Sequence, residues 1–278
     1  MWETLTKVDF TSVRRESRTQ EGKILQLRVP GGEVALFSIA APGEAGRANE
    51  DAAGVVFDGR GRGLLVVCDG VGGGRHGRKA SGLAVDAVCE AAQGEGGIHR
   101  GSVLTGIDEA NRRVLALGGA ATTLTAVEID ERGFRPYQIG DSMVLVVGQR
   151  GKLRYHSLAH GPTGYALAAG YLEEDEALHH AHLNIVYNVV GIEEMFIDLG
   201  SVLPMSQKDT VLVASDGVFD NMYRQEITNI IRKGPIEKAA HRLYELCQER
   251  MLKPQEEAPS KPDDLTFILY RRRSVDLD

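Results

Sequence analysis

The chain is predicted to fold as an α+β domain, with antiparallel sheets and helices packed outside them. Two apolar runs too short for helices, residues 64–68 and 210–215, each close on Asp-Gly. Two stretches, residues 78–92 and 102–117, instead carry apolar residues at helical spacing. Between residues 122 and 156 four strand-like segments follow one another across short turns, which implies antiparallel pairing. Helices stacked on the outer faces of such sheets bury both sets of apolar surface.

Residues 1–32 are mixed and polar, with Arg14-Arg15-Glu16-Ser17-Arg18 in the middle, and are expected to form an N-terminal arm or an edge strand. Residues 34–41 read as a strand and 42–51 as the loop that leaves it, which brings Arg47, Glu50 and Asp51 within five residues of one another. The central strand, residues 64–68, ends on Asp69-Gly70 and a glycine-rich turn that runs to Gly77. Backbone without Cβ atoms can bend sharply there and come close to an ion or ligand.

The first helix, residues 78–92, places Leu83, Ala84, Ala87, Val88 and Ala91 on its apolar face and stops at the glycines of 94–97. The second, residues 102–117, has Ser102 as its candidate cap. Strands are expected at 122–129, 134–139, 143–147 and 152–156, forming one continuous meander. The segment 158–190 has no clear period, holds His160, His179, His180 and His182, and reads as a surface flap. Zinc is set aside there, because no cysteine accompanies these histidines and their spacing does not put two on one helix face.

Strands return at 193–199 and 210–215. Helical material runs from Phe219, breaks at Gly234-Pro235 and continues as the amphipathic stretch 236–251. A loop at 253–262 leads into a last strand, 263–270, which opens with Asp263-Asp264. Residues 271–278, beginning Arg271-Arg272-Arg273, are expected to be a solvated C-terminal tail.

With 42% hydrophobic and 26% charged residues among 278, the composition is that of a globular protein, read here as one large domain. A net charge of -7 argues against a general nucleic-acid surface and suits a site that gathers cations. Cys68, Cys89 and Cys247 are widely spaced and odd in number, as free thiols in a reducing compartment are. Neither a signal-peptide pattern nor an apolar run of roughly 18 residues is seen, so the expected location is cytoplasmic, with no membrane partner.

The chemistry lies in the acidic residues. Glu50, Asp69, Asp141, Asp216, Asp220 and Asp263 each fall at an expected strand end or in the adjacent turn. Carboxylates gathered at one spot raise each other's pKa unless cations neutralise them. A set of oxygen ligands without His or Cys selects hard ions such as Mg²⁺ or Mn²⁺. Two such ions about 4 Å apart activate a water and stabilise an in-line displacement at phosphorus. A competing motif, Gly72-Gly73-Gly74-Arg75-His76-Gly77, matches GxGxxG, but a second helix and an antiparallel meander follow it instead of the second half of a βαβ unit.

The succession of motifs carries a resemblance. Residues 47–51, Val67-Cys68-Asp69-Gly70-Val71-Gly72-Gly73, Ala121-Thr122-Thr123-Leu124, Gly140-Asp141-Ser142, the run 215–222 and Asp263-Asp264-Leu265-Thr266 together resemble the PP2C-type (PPM) metal-dependent Ser/Thr protein phosphatases, over roughly residues 33–270. The resemblance implies a four-layer α-β-β-α sandwich of two antiparallel sheets flanked by helices, with two Mn²⁺ or Mg²⁺ ions between the sheet edges and a third, weaker ion site. It gives Asp69 as the ligand bridging both ions, with the Gly70 carbonyl and Glu50 completing one side and Asp216 and Asp263 the other. Asp51 would orient metal-bound waters, and Asp141 and Asp220 match the third-ion positions. Arg47 is similar to the arginine that grips the substrate phosphate.

The implied reaction is one-step hydrolysis of phosphoserine or phosphothreonine monoesters by a metal-bridging hydroxide, without a covalent phosphoenzyme. The implied partners are phosphoprotein substrates and a cognate Ser/Thr kinase. The alternative is a catalytically inactive module of the same fold that binds phosphoproteins or regulates a partner. Four departures stand out. The interval from Arg47 to Asp51 is one residue shorter than in many members, and Val71 stands where many have a histidine general acid. That leaves His76, a metal-bound water or bulk solvent for the role. Asp264 replaces the usual asparagine, and Met143 stands where an arginine often follows Gly-Asp-Ser.

Overall fold

The computed structural model describes residues 10–15, 23–43, 47–71 and 75–273. In chain order the first half contains β1 (Phe10–Arg15), β2 (Leu25–Val29), β3 (Gly32–Ile39), β4 (Ala52–Asp58), β5 (Gly63–Cys68), β6 (Gly70–Val71), α1 (Arg75–Gln93), α2 (Arg100–Leu115), β7 (Ala121–Thr122), β8 (Leu124–Ile129) and β9 (Phe134–Ile139). The second half contains β10 (Met143–Val147), β11 (Leu153–His156), α3 (Pro162–Ala168), α4 (Glu174–Leu178), β12 (Asp198–Leu199), β13 (Thr210–Ala214), α5 (Asp216–Phe219), α6 (Arg224–Ile231), α7 (Ile236–Leu252) and β14 (Leu265–Arg272).

Strand alternation sorts the apolar side chains into layers. In β5, Leu64, Val66 and Cys68 lie in the core beneath α1 and α2, while Leu65 and Val67 enter the core between the two sheets. In β13 the same alternation sends Leu212 and Ala214 toward α5, α6 and α7, and Val211 and Val213 toward the other sheet. The strands form two six-stranded sheets, ordered β1-β4-β5-β8-β9-β12 and β11-β10-β13-β14-β3-β2, plus the small pair β6-β7. Pairing is antiparallel throughout, for example Leu65 opposite Val127 and Leu212 opposite Leu269. The result is the expected four-layer α-β-β-α sandwich. Among the described residues no helix is long and apolar enough to cross a membrane.

Several local expectations are corrected. β4 was not legible as a strand, because Ala52-Ala53-Gly54 has weak strand propensity. The small residue serves packing: a Cβ on Gly54 would lie 2.7 Å from both Cys89 Sγ and Val85 Cγ1 of α1. The meander is not continuous either. β8 and β9 pair in one sheet and β10 and β11 in the other, so the Gly140-Asp141-Ser142 turn crosses between sheets, with Gly140 at φ +99°. That crossing carries Asp141 to the sheet edges.

The helix expected to be capped by Ser102 is capped by His99, whose ring accepts from the Ser102 backbone N–H while Ser102 Oγ accepts from the His99 N–H. The strand expected at 193–199 shrinks to β12, and the flap contains α3 and α4.

Arg271 does not open a solvated tail. It is buried in β14 and donates to Thr210 Oγ1 at 2.9 Å, to the Ile231 carbonyl at 2.7 Å and to the Gly234 carbonyl. Ile231 ends α6, so the guanidinium satisfies carbonyls that a helix C-terminus leaves without partners.

Candidate active site

Six stretches meet where the two sheets present their strand ends. The loop before β4 is fixed from several sides. Glu50 donates its backbone N–H to Asp264 Oδ2 at 2.6 Å, and its carbonyl accepts from Gly70 N at 3.2 Å and Ser81 Oγ at 2.5 Å. Asn49 Nδ2 donates to Ser38 Oγ at 2.8 Å, and Asp51 Oδ2 accepts from Ser215 Oγ at 2.8 Å. Asp264 Oδ1 accepts a further backbone N–H, from Ala41 at 2.7 Å. Asp264 therefore uses both carboxylate oxygens to hold the loop.

Asp69 follows β5 directly, and β7 clamps its main chain. Its N–H donates to Thr123 Oγ1 at 2.9 Å, and its carbonyl accepts from Thr123 N at 2.8 Å and Thr122 Oγ1 at 2.7 Å. Thr123 Oγ1 also bonds Ser142 Oγ at 2.7 Å, which ties the Asp69 strand end to the turn that carries Asp141. The Ala121-Thr122-Thr123-Leu124 motif thus acts by joining two acidic loops, a role its spacing did not reveal. Gly70 and Gly77 touch across the glycine-rich turn. A Cβ on Gly70 would lie 2.3 Å from the Gly77 carbonyl, and one on Gly77 would lie 2.7 Å from Glu50 Oε1 and 2.9 Å from the Gly70 carbonyl oxygen. Glu50 and the Gly70 carbonyl therefore face the same small gap.

On the other side, Asp216 opens α5, Asp220 follows it by one turn, and Asp263 precedes β14. Lys261 Nζ reaches all three, at 2.5 Å from Asp216 Oδ2, 2.9 Å from Asp220 Oδ2 and 3.1 Å from Asp263 Oδ2. Sequence reasoning missed Lys261, which read as a loop cation among prolines. Among the described residues no three His, Cys, Asp or Glu side chains stand as a ready-made metal cage. The cation at which three carboxylates converge is the Lys261 ammonium.

The electrostatics ties the two sides together. Asp69 is pushed well above the ordinary carboxylate range by burial and then by Asp51, Asp216, Asp141 and Asp263. Burial and Asp264 raise Asp51, and burial and Asp216 push Asp141 up to about 7. Asp220 and Asp263 are also raised, by burial and Asp216, against the pull of Lys261. Burial opposes the charge of Lys261, but the three aspartates outweigh it and hold the amine protonated.

Raised acids make the folded chain bind protons more tightly than the unfolded one. The stability they contribute is complete below the ordinary carboxylate range and is lost as pH rises through their folded values. In EDTA the melting temperature is therefore expected to fall between about pH 5.5 and about pH 8. A melting temperature that stays flat or rises over that interval would mean that these carboxylates do not share a site.

Two buried oxygens, Asp51 Oδ1 and Asp216 Oδ1, have no hydrogen-bond partner. Buried, acid-rich, free of thiolate and imidazole, and holding unsatisfied carboxylate oxygens, the site fits hard divalent ions. Arg47 and His76 are exposed. Cys68 points away from Asp69 into the helix-side core, buried like Cys89 and Cys247.

His160, expected to be a solvated flap residue, is buried. It stacks on Phe196 at 5.0 Å, and its Nδ1 accepts from Asn188 at 2.9 Å and Gly140 N at 3.3 Å, so it fastens the flap to the Asp141 turn. Under the flap a cavity of about 340 Å³ opens beside Asp141, Asp216 and Asp220, walled by Met143, Leu167 and Phe219. His156 also lines it, and burial pushes that imidazole down to about 4.

The family model for Protein phosphatase 2C matches residues 43–254. The protein phosphatase PhpP of Streptococcus pneumoniae is 30% identical over 206 residues, covering 66% of this chain and 78% of that protein. The structure of the S. agalactiae serine/threonine phosphatase superposes with a TM-score of 0.74 at 24% identity, covering 87% of this chain and all of that one. The catalytic domain of the serine/threonine protein phosphatase PstP, determined with two manganese ions, superposes at 0.68 with 22% identity, covering 95% and 100%. With its two sheets closing on an acidic edge, this chain belongs to the protein phosphatase 2C family.

Proposed function

We propose that this protein phosphatase hydrolyses phosphoserine and phosphothreonine monoesters in proteins, using divalent Mn²⁺ or Mg²⁺ held by the carboxylates at the sheet edges. The observation that carries the reading is the convergence of carboxylates at the sheet edges: Asp216, Asp220 and Asp263 meet one ammonium within 3.1 Å, and Asp51 Oδ1 and Asp216 Oδ1 are buried without a partner. Glu50, Asp69 and the Gly70 carbonyl would hold one side of an ion pair, and Asp216 and Asp263 the other. Asp141 and Asp220 are suited to a third ion. When bound, such ions neutralise phosphate charge and activate water.

The chain's own groups supply the rest. Asp51, anchored by Ser215, is placed to orient water at the ions, since its second oxygen is free of other partners. Arg47, exposed in the loop before β4, offers a planar fork to an incoming phosphate. His76, exposed in the first turn of α1, is the side chain proposed to protonate the departing alkoxide. The flap selects the substrate, and the phosphoproteins imply a Ser/Thr kinase that makes them. Three buried, unbridged cysteines suit a reducing compartment, here taken as the cytoplasm.

Turnover of p-nitrophenyl phosphate and of a phosphothreonine peptide, measured with Mn²⁺, with Mg²⁺ and with EDTA, tests the reading. Activity is expected only with added metal. Equal turnover in EDTA would remove the metal from the mechanism, and no turnover by folded, metal-loaded protein would favour the inactive binding module.

A further inference from the structure

We propose that the Lys261 ammonium is a built-in cation that holds one cation position of the carboxylate cluster, so that this chain loads its last divalent ion in competition with its own side chain. The proposal deepens the metal-centre reading above and rests on it.

The contact geometry is that of a bound ion more than of a surface salt bridge. An ammonium carries three donors and no acceptor, and here the three donors meet three carboxylates, two from the α5 turn and one from the approach to β14, at 2.5, 2.9 and 3.1 Å. The lysine side chain is only 21% exposed. Its backbone is bolted from both ends, because Lys261 N donates to Asn221 Oδ1 at 2.8 Å and the Lys261 carbonyl accepts from Asn221 Nδ2 at 2.8 Å. Asn221 is itself fully buried and shares its amide with the Gly217 carbonyl at 2.9 Å, so the anchor belongs to the same turn that carries Asp216 and Asp220. Pro259 and Pro262 flank the residue and narrow its backbone freedom.

A divalent ion needs carboxylate oxygens at about 2.0–2.6 Å and cannot share them with an ammonium at hydrogen-bonding distance. Like charges at that separation also repel. The lysine must therefore swing out before an ion takes the position it fills. Its four-carbon stem permits that movement while the backbone stays fixed. Asp216 Oδ1 is left without a partner, so that oxygen stays available to an ion while the ammonium remains. Lys261 thus acts as a positioning residue that sets how many ions the chain holds at a given metal concentration.

The test is an Mn²⁺ titration of the metal-stripped full chain by equilibrium dialysis, for wild type, K261S, K261Q and K261R. One additional Mn²⁺ per chain, or at least tenfold tighter binding of the weakest ion, is expected in K261S and K261Q. K261R is expected to stay within threefold of wild type. In EDTA, K261Q is also expected to melt below wild type, since its three aspartates lose their counter-charge. Should K261S prove too unstable without metal, withdrawal of Mn²⁺ from loaded K261Q by a chelator reads the same difference. Binding that is equal within twofold in all four chains, or weaker in the neutral variants, overturns the proposal and leaves the metal centre standing. Absence of Mn²⁺ binding in every folded chain overturns both.

Discussion

Asp69→Asn is expected to lower kcat/KM by roughly a thousandfold, about 4 kcal/mol in the barrier, with the fold intact. Its main chain is held by Thr122 and Thr123 whatever the side chain is, so asparagine should occupy the same place. What changes is charge. Asp69 is the residue raised jointly by Asp51, Asp216, Asp141 and Asp263, which places it electrostatically between the two sides of the cluster. A neutral amide there weakens cation binding on both sides at once. The same substitution removes a repelling charge, so the variant in EDTA at about pH 8 is expected to melt at or above the wild-type temperature. Kinetics and melting measured on one preparation separate the roles: a variant that is both inactive and unstable would mean that Asp69 is structural, and an active one that the ions do not depend on it.

The sheets were legible because Leu64-Leu65-Val66-Val67 and Val211-Leu212-Val213 are apolar runs too short for helices, and because Asp-Gly closes both runs. What misled was context. β4 hides behind two alanines and a glycine that fit under α1, and the Gly140 turn looks like a hairpin although it changes sheets. Its short length signals antiparallel chain direction but not which partner each strand takes. In the site, the acidic residues could be named from their strand-end positions, since a strand that stops at the sheet edge leaves the next side chain there. Residues that act through hydrogen bonds to those acids carry no such signal. Thr123 is one hydroxyl among many until its bonds to Asp69 and Ser142 are seen, and Lys261 is one loop lysine until three carboxylates surround it. Arg271 misled for a related reason: a charged triplet at a chain end reads as solvated, and only the α6 carbonyls it meets explain its burial.

Asp264→Ala is expected to destabilise the protein by about 3–5 kcal/mol, because two buried backbone N–H groups lose a charged acceptor together. The carboxylate spans the Ala41 and Glu50 amides at 2.7 and 2.6 Å, and its own residue is 4% exposed, so water cannot take over the bonds. Asp264→Asn should cost less. An asparagine keeps one oxygen acceptor but turns an amide donor toward the other N–H, trading an attraction for a repulsion. It also removes the charge that raises Asp51 beside it, so the Asn variant should lose part of the pH dependence of stability that wild type shows in EDTA. Thermal melts of both variants across pH, with amide exchange at Ala41 and Glu50, give the comparison. Loss of protection at those two amides with milder melting in Asn than in Ala would show that this chain's second aspartate is a clamp on the Glu50 loop. Equal melting in wild type and Asp264→Ala, or amides that stay protected, would mean that the loop is held by Ser215, Ser81 and Gly70 without it.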